Sequence, residues 1–435
     1  MTITAHHITD EWQLLAHVLQ TRAMHESHTG ANVAEVLRTA TEEWGISNKP
    51  IVLVTDNASN MVVAAQVGGY LHVKCFAHTL NLASQRALKL PAVARLLGRV
   101  RRITTFFHRS TIANSMLEQK QKLLDIPTHK LKTDVVTRWN SGCEMLQRFL
   151  EQQPAICAAL LSSDVRRSGS DICTLNENDI TDAEDIMQAL RPMFVATKIV
   201  SEEKNPTLSI IAPVHAKLLN DTHQAMGDKP IVRDIKQAIN QDLQKRYSTV
   251  EEKNTLHTAS ALDPRFKSLP FLTTDDISAT YSKLVVEAAS LQPTIRQEET
   301  SSASGIEMDG QDLEVLEEPQ PKRRSGLADL LGETFYTTAP LKSAFSQAEE
   351  EVKRYQEASP LPLEENPLNW WKAHEKMYPF LAKLSKRYLS IPGTSVSAER
   401  VFSTAGDIVT AQRSTLTSEH VDQLLFLSKN ANIPK

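Results

Sequence analysis

The sequence predicts a chain of the α/β plus all-α class. Over the first 91 residues, short apolar runs with strand patterning alternate with helical stretches. From Ala92 to about Leu291 helical periodicity dominates, and apolar helical segments return near the C-terminus. We therefore predict five parts: an α/β part over 1–91, a helical insertion over 92–291, a linker over 292–326, a helical continuation over 327–365 and a C-terminal helical region over 366–430.

Length and composition bound the class of protein. A chain of 435 residues can hold two or three domains and bury a large core. Its 41% hydrophobic and 23% charged residues are typical of soluble globular proteins. A net charge of -4 excludes a strong electrostatic footprint for nucleic acid over the whole chain. We find no secretory h-region and no apolar run long enough to span a membrane, so we expect an intracellular protein without a membrane partner.

The first elements are two strands and a helix. Thr2–Ile8 is predicted as a strand, residues 9–11 as a turn and Trp12–Thr21 as a second strand with alternating apolar side chains. Val33–Trp44 has helical spacing, and Gly45 closes it. The chain therefore opens with a strand pair that a helix follows.

A short apolar strand then leads to an acidic residue. Ile51–Val54 is apolar throughout, which predicts an interior strand. That strand places Asp56 at its carboxyl end, where sites in such sheets lie. Asn60–Val67 is predicted as a helix, His72–Cys75 as a strand and Thr79–Leu88 as a helix.

A basic cluster lies at the start of the helical insertion. On a predicted helix it could form a patch for an anionic partner, although a solvated helix face is the more common role of such a cluster. Its members are Arg95, Arg99, Arg101, Arg102, His108 and Arg109.

The stretch 292–326 has a different composition. It is rich in Glu, Ser and Gln and poor in large apolar residues, which predicts a disordered linker or a surface loop. Lys322, Arg323 and Arg324 form a short basic tract inside it. Such a tract serves as a nuclear import signal in some proteins and is an ordinary charged loop in others.

Three helical segments end the chain. The first begins at Asn366 and restarts at Pro379, the second is Val396–Ala405 and the third is Ser418–Ser428. Glu399 lies beside the apolar line of the second segment, not opposite it. Such apolar helices need a partner surface, and packing inside their own chain satisfies this need as well as a second molecule does.

These segments also carry a resemblance to a known family. Asn366–Trp371, the run PGTSVSAERVFSTAG from Pro392 to Gly406, and Leu424–Leu427 resemble the C-terminal dimerisation region of hAT-superfamily transposases. They resemble more narrowly the BED zinc finger proteins domesticated from those transposases. The resemblance implies a homodimer or higher oligomer. The residues it assigns to self-association are Trp370, Trp371, Val401, Phe402, Val421, Leu424, Leu425 and Leu427.

The order of the first elements resembles a ribonuclease H-like domain without its first strand, interrupted by a large helical insertion. In the family that strand carries the first acid of a metal-binding triad, Asp56 matches the second acid and Glu399 the third. Two Mg²⁺ ions need several converging carboxylates to cut DNA. We therefore expect a degenerate, inactive triad and no cofactor, with Mg²⁺ only where the triad is intact. Alone, Asp56 would more often cap a helix or form a turn.

Two further stretches resemble family elements near DNA. Cys75–His78 resembles a CxxH stretch that places His78 near DNA, but a lone CxxH offers two of the four ligands that structural zinc needs. Arg138 and Trp139 belong to an RWNS stretch whose tryptophan stabilises a flipped base in the family. Core packing remains the alternative for both Cys75 and Trp139.

The resemblance implies a domesticated, non-catalytic hAT transposase-derived protein. It would self-associate through its C-terminal region and act as a nuclear, DNA-associated or transcription-regulatory factor. We expect weak DNA affinity of its own, because the BED finger, with its zinc, is absent from this chain. The alternatives are a truncated copy of an active Mg²⁺-dependent DNA transposase, and a decayed product that does not fold because inner strand edges stay unpaired.

Overall fold

The computed structural model describes residues 1–168, 174–202, 205–291, 342–409 and 416–431. The strands within these ranges are β1 (Thr2–Ile8), β2 (Leu14–Thr21), β3 (Val52–Thr55) and β4 (Leu71–Lys74). The helices are α1 (Gly30–Glu43), α2 (Ser59–Gly68), α3 (Phe76–Leu88), α4 (Pro91–Arg109), α5 (Thr111–Leu123), α6 (Trp139–Leu160), α7 (Ser163–Ser168), α8 (Glu177–Val200), α9 (Leu208–Asp221), α10 (Pro230–Leu243), α11 (Val250–Ala261), α12 (Thr274–Ser290), α13 (Ala344–Glu357), α14 (Pro367–His374), α15 (Pro379–Leu389), α16 (Val396–Ile408) and α17 (Ser418–Asn430).

The four strands form two separate pairs. β1 and β2 form an antiparallel hairpin whose register runs from Thr2 opposite Thr21 to Ile8 opposite Leu14, and β3 pairs with β4 in parallel. The predicted strand order is confirmed. The expectation of an interior strand at Ile51–Val54 is wrong, because in the described part of the chain β3 pairs with β4 alone and its apolar side chains stay half-buried.

The turn of the first hairpin is fixed to the C-terminal part of the chain. Trp12 has a positive φ of 63°, so it lies in the turn, and β2 begins at Leu14. Its ring is buried and stacks on Trp371 at 5.9 Å, and its Nε1 donates to a Glu375 carboxylate oxygen at 2.5 Å. The Lys386 ammonium lies 4.9 Å from the ring centre. The first hairpin therefore packs directly against α14 and α15.

The helices from α3 to α15 pack around one continuous apolar core. Their amphipathic faces supply it, as the predicted helical periodicity requires. The helical periodicity predicted from Ala92 to about Leu291 is confirmed, and α8 and α9 are two of its helices. α11 ends at Ala261 because Pro264 follows and disfavours helical backbone at the residue before it. Among the largest fully buried side chains are Phe76, Phe107, Met145, Ile186 and Leu190.

An aromatic cluster joins α13 to α14 and α15. Trp371 is 0% exposed, stacks on Tyr355 at 5.4 Å and donates its Nε1 hydrogen to the carbonyl oxygen of Leu262. Trp370 is half-buried and stacks on His374 at 4.1 Å. Trp371 is therefore part of the chain's own core, and in this structure it is not open to the self-association expected of it.

The last two helices cover the first hairpin. Val401 of α16 and Val421 and Leu425 of α17 form a small separate core with Val18 of β2. Asn430 binds both peptide groups of Val18, donating to its carbonyl at 2.8 Å and accepting from its N–H at 3.1 Å. Side chains of α17 thus satisfy the edge of β2, which protects it from pairing with another chain.

Both helices of this region end later in the sequence than predicted. α16 continues to Ile408, because Gly406 is tolerated inside the helix, and α17 continues to Asn430. Among the described residues we find no helix that is both long and apolar enough to cross a membrane.

Candidate functional site

The carboxyl end of β3 carries the first acidic residue of interest. An Asp56 carboxylate oxygen accepts the Ala58 backbone N–H at 3.2 Å, which forms the turn into α2. The Thr55 hydroxyl lies 2.9 Å from Nε2 of His72 on the neighbouring strand. Burial and the Lys74 charge lower the pKa of His72, against opposing effects of Glu252 and Asp56. At neutral pH the end of β3 therefore faces an uncharged imidazole.

Cys75 joins this strand end to two other segments. Its N–H donates to the Thr55 carbonyl at 2.8 Å, which extends the β3–β4 pairing by one residue. Its sulfur accepts the backbone N–H of His78 at 3.4 Å and that of Ser395 at 3.3 Å. Burial raises the pKa of the thiol, so it stays protonated. The structure thus makes Cys75 a buried cap of α3.

Gly393 lies beside Cys75 at the closest backbone approach of this site. Its carbonyl accepts the Phe76 N–H at 2.9 Å, and its N–H donates to the Thr207 hydroxyl at 2.8 Å. A Cβ at position 393 would lie 2.8 Å from the Thr207 carbonyl oxygen. Only glycine fits without displacing backbone, because 2.8 Å is well inside the van der Waals contact distance of a carbon and an oxygen.

Glu399 occupies the first turn of α16, two residues beyond Ser397. It is exposed, and the Ser395 hydroxyl donates to one of its oxygens at 3.2 Å. Its charge contributes to the raised pKa of the Cys75 thiol. The structure therefore brings the strand end with Asp56 and the helix with Glu399 to the same residue, Cys75, across more than 300 positions of sequence.

Asp56 and Glu399 are the two carboxylates that could serve a divalent metal here. Within the described ranges, no group of three or more His, Cys, Asp or Glu side chains is placed to hold a metal ion. Mg²⁺ prefers carboxylate and water oxygens in octahedral geometry, and a two-metal centre needs several carboxylates. Asp56 and Glu399 are thus carboxylates of the type that such a centre uses, and within the described ranges neither belongs to a group of three.

The residues expected near DNA are placed differently from one another. Trp139 is 2% exposed, packs edge-on to Phe194 at 6.4 Å and has no partner for its Nε1 hydrogen among the described residues. In this arrangement no face of the Trp139 ring is open for the expected base stacking, which stays a prediction. Arg138 is exposed, and His78 is half-buried with no side-chain hydrogen bond within the described ranges.

The residues expected to mediate self-association divide into two sets. Val401, Val421 and Leu425 are buried in the small core against β2, so in this structure they are not open to a second copy. Three others remain open to solvent, and they are Phe402 at 63%, Leu424 at 42% and Leu427 at 63% exposure. The expected import residues Lys322, Arg323 and Arg324 lie outside the described residues.

Sequence reasoning missed the joint at Gly393. The Pro392-Gly393 pair indicated a turn between helices, but the steric demand comes from Thr207, which is 186 residues away in sequence. No local pattern reports such a contact. The position of Cys75 between a strand and a helix is visible in the sequence. The hydrogen bond that its sulfur accepts from the N–H of Ser395 is not.

His6 connects β1 to α16 next to this joint. Its Nε2 lies 3.2 Å from the Ser397 hydroxyl and 3.2 Å from the Thr4 hydroxyl. Burial, with the nearby charges of His17 and His7, lowers its pKa to about 4 from an ordinary 6.5. The folded chain therefore holds a neutral imidazole at this position.

Three family models match the chain. The ZBED1 RNase-like domain matches residues 1–79, the ZBED1 RNase-like helical domain 73–189, and the hAT family C-terminal dimerisation region 345–431. Together they define a ribonuclease H-like fold that carries a helical insertion and a C-terminal hAT region. The chain is therefore similar, over these three stretches, to zinc finger BED domain-containing proteins and hAT transposases.

Three relatives illustrate the range of this family. Human zinc finger BED domain-containing protein 4 is 25% identical over 93% of this chain and 33% of the relative. The putative AC transposase of Zea mays is 24% identical, over 98% of this chain and 54% of its own length. The putative transcriptional regulator tpeD of Talaromyces stipitatus is 21% identical, over 98% and 51%. The chain thus spans about a third to just over half of these relatives.

Acid should weaken the His6 link. The folded pKa of about 4 lies below the unfolded 6.5, so this contribution to stability is complete above pH 6.5 and is lost as pH falls through 4. Between about pH 7 and about pH 4.5 the wild type should lose on the order of 2 kcal/mol more unfolding free energy than His6→Gln, which cannot titrate. Urea unfolding at both pH values measures this. Equal pH dependence in the two chains would contradict it.

Proposed function

We propose that this chain is a non-cleaving, transposase-derived protein that self-associates through α16 and α17. The observation that carries the proposal is the division of the apolar side chains on these helices. One set packs the helices against β2, and another set of large apolar side chains faces solvent. Because the hAT dimerisation region matches this part of the chain, we assign the exposed set to contact with a second copy.

The exposed set extends beyond the two helices. Leu424 and Leu427 are one turn apart on α17, and Phe402 lies one residue beyond the buried Val401 on α16. Phe426 of α17 lies 5.9 Å from the ring of Trp44, which is 41% exposed at the end of α1. Clusters of exposed large apolar residues of this kind mark interaction surfaces.

A second copy of the chain is the simplest occupant of this surface. A self-complementary patch around a two-fold axis produces a closed dimer, in which each Leu427 is covered without further growth. The adjacent edge of β2 is already satisfied by Asn430, so association by continuing the sheet is disfavoured there. Contact between helix faces therefore remains as the mode of association.

We further propose a regulatory role on DNA in the nucleus. The support is the printed role of one relative as a putative transcriptional regulator and the zinc finger BED domain in the name of another. In this proposal the tract Lys322, Arg323 and Arg324 acts as the import signal.

Substituting the exposed leucines should dissociate the dimer without unfolding it. In a dimer, Leu424→Glu with Leu427→Glu places carboxylates of both copies in the contact, where like charges repel each other. In a monomer the same side chains stay solvated. We expect light scattering to give twice the chain mass for the wild type and a single chain mass for the variant, with unchanged helical circular dichroism.

The matched control is Leu123→Glu with Leu161→Glu, which changes two exposed leucines at 74% and 64% exposure on a different surface. This control should stay dimeric. A monomeric wild type, or a double variant that remains dimeric, would refute self-association through α17. Leu425 is unsuitable for the test because it is buried, and a charge there would unfold the small core.

The chain should not cut DNA. The proposal rests on the use of the Asp56 carboxylate in its own turn and on the exposed position of Glu399. With supercoiled plasmid and either Mg²⁺ or Mn²⁺, we expect the wild type and the Asp56→Asn variant to give the same background of nicked product. Nicking by the wild type that disappears in both Asp56→Asn and Glu399→Gln would instead establish a metal-dependent nuclease.

A further inference from the structure

The solvent-facing side of α4 carries a row of arginines that the proposed self-association does not use. We propose that this face binds the phosphate backbone of double-stranded DNA through Arg95, Arg102 and Arg109. The proposal adds a binding surface to the proposed DNA association, and it does not depend on whether the chain dimerises.

The three arginines form a straight row. They are seven residues apart, which is close to two helical turns or about 10.5 Å per interval. All three are exposed, and they lie opposite the face that α4 buries. The buried face consists of Val93, Leu96, Leu97, Val100, Ile103, Thr104 and Phe107.

The remaining arginines of α4 have structural partners. Arg99 donates to an Asp179 carboxylate oxygen at 2.5 Å, and Arg101 binds both carboxylate oxygens of Asp134 at 2.6 Å. Within the described ranges no carboxylate pairs with the row itself. The predicted basic cluster thus separates into arginines that hold the fold and arginines whose guanidinium groups are available to a phosphate.

Gly98 lies in the same row, between Arg95 and Arg102. A Cβ there would meet no atom within 4 Å, so packing does not explain the glycine. Glycine destabilises the interior of a helix relative to alanine, yet α4 carries it at its centre. Because glycine has no side chain, the helix surface between the two arginines is uncovered. A phosphodiester backbone can therefore lie close to the helix there.

A duplex fits this row better than a single strand. Proteins that hold single strands stack bases on exposed aromatic rings. The aromatic side chain nearest the row, Phe106, is half-buried and packs edge-on to Phe107 at 5.6 Å. The face thus offers evenly spaced positive charge without a stacking platform, which suits backbone contacts that do not read sequence.

The test compares two triple variants of the full chain on a labelled duplex of about 20 base pairs, by anisotropy between about 50 mM and about 200 mM salt. Arg95→Gln, Arg102→Gln and Arg109→Gln should weaken binding at low salt at least about tenfold. The slope of log affinity against log salt should become shallower by roughly 2 to 3, because three phosphate contacts are lost. Light scattering on this variant should give the wild-type mass.

The control is Lys353→Gln, Lys372→Gln and Lys383→Gln, which removes the same charge from exposed lysines on α13, α14 and α15. It should keep the wild-type affinity within about twofold and the wild-type salt slope. A second pair of variants tests the uncovered helix surface at Gly98. Gly98→Glu, which places a carboxylate between Arg95 and Arg102, should weaken binding several-fold more than the neutral Gly98→Gln.

Three outcomes would overturn the proposal. The first is a wild type that does not bind the duplex at low salt. The second is an equal loss of affinity in the arginine and lysine triple variants, which would reflect net charge alone. The third is binding through the same arginines to phosphatidylserine vesicles and not to the duplex, which would assign the face to a membrane surface.

Discussion

The close backbone approach at Gly393 holds the parts of this molecule together. There the loop before α16 touches the start of α9 through Thr207 and the start of α3 through Phe76. Two residues beyond Gly393, the N–H of Ser395 donates to the sulfur of Cys75. Because a side chain at 393 would collide with the Thr207 carbonyl, the α/β part, the helical insertion and the C-terminal region meet without displaced backbone only when glycine occupies this position.

Residues of the C-terminal region therefore fall into two groups, one that completes the fold and one that faces solvent. Its inner residues complete the fold, since Trp371 supports the hairpin turn at Trp12, and Asn430 covers the edge of β2. Its outer residues, among them Leu427, are free to meet another molecule. The proposed self-association would therefore depend on folding, because the surface for a second copy exists only when α16 and α17 lie against the first hairpin.

The sequence predicted the elements better than their contacts. Period-2 and helical patterns located β1, α1 and α17 to within a few residues, because local backbone preference and the buried face agree there. They could not show that Trp371 and Leu425 belong to the chain's own core, since an apolar helix face has the same pattern whichever surface covers it. Local patterns also could not show that the strand end with Asp56 and the helix with Glu399 meet at Cys75, because this depends on pairings between distant segments.

The most direct test of this account is the unfolding free energy of Gly393→Ala beside Gly406→Ala. Both changes add one methyl group, but a Cβ at 406 meets nothing within 4 Å and one at 393 meets backbone at 2.8 Å. We expect Gly393→Ala to lose about 1–3 kcal/mol, with faster amide exchange at Phe76 and Ser395. Gly406→Ala should be at least as stable as the wild type. Equal stability and equal exchange in the two variants would contradict a fold that depends on this approach.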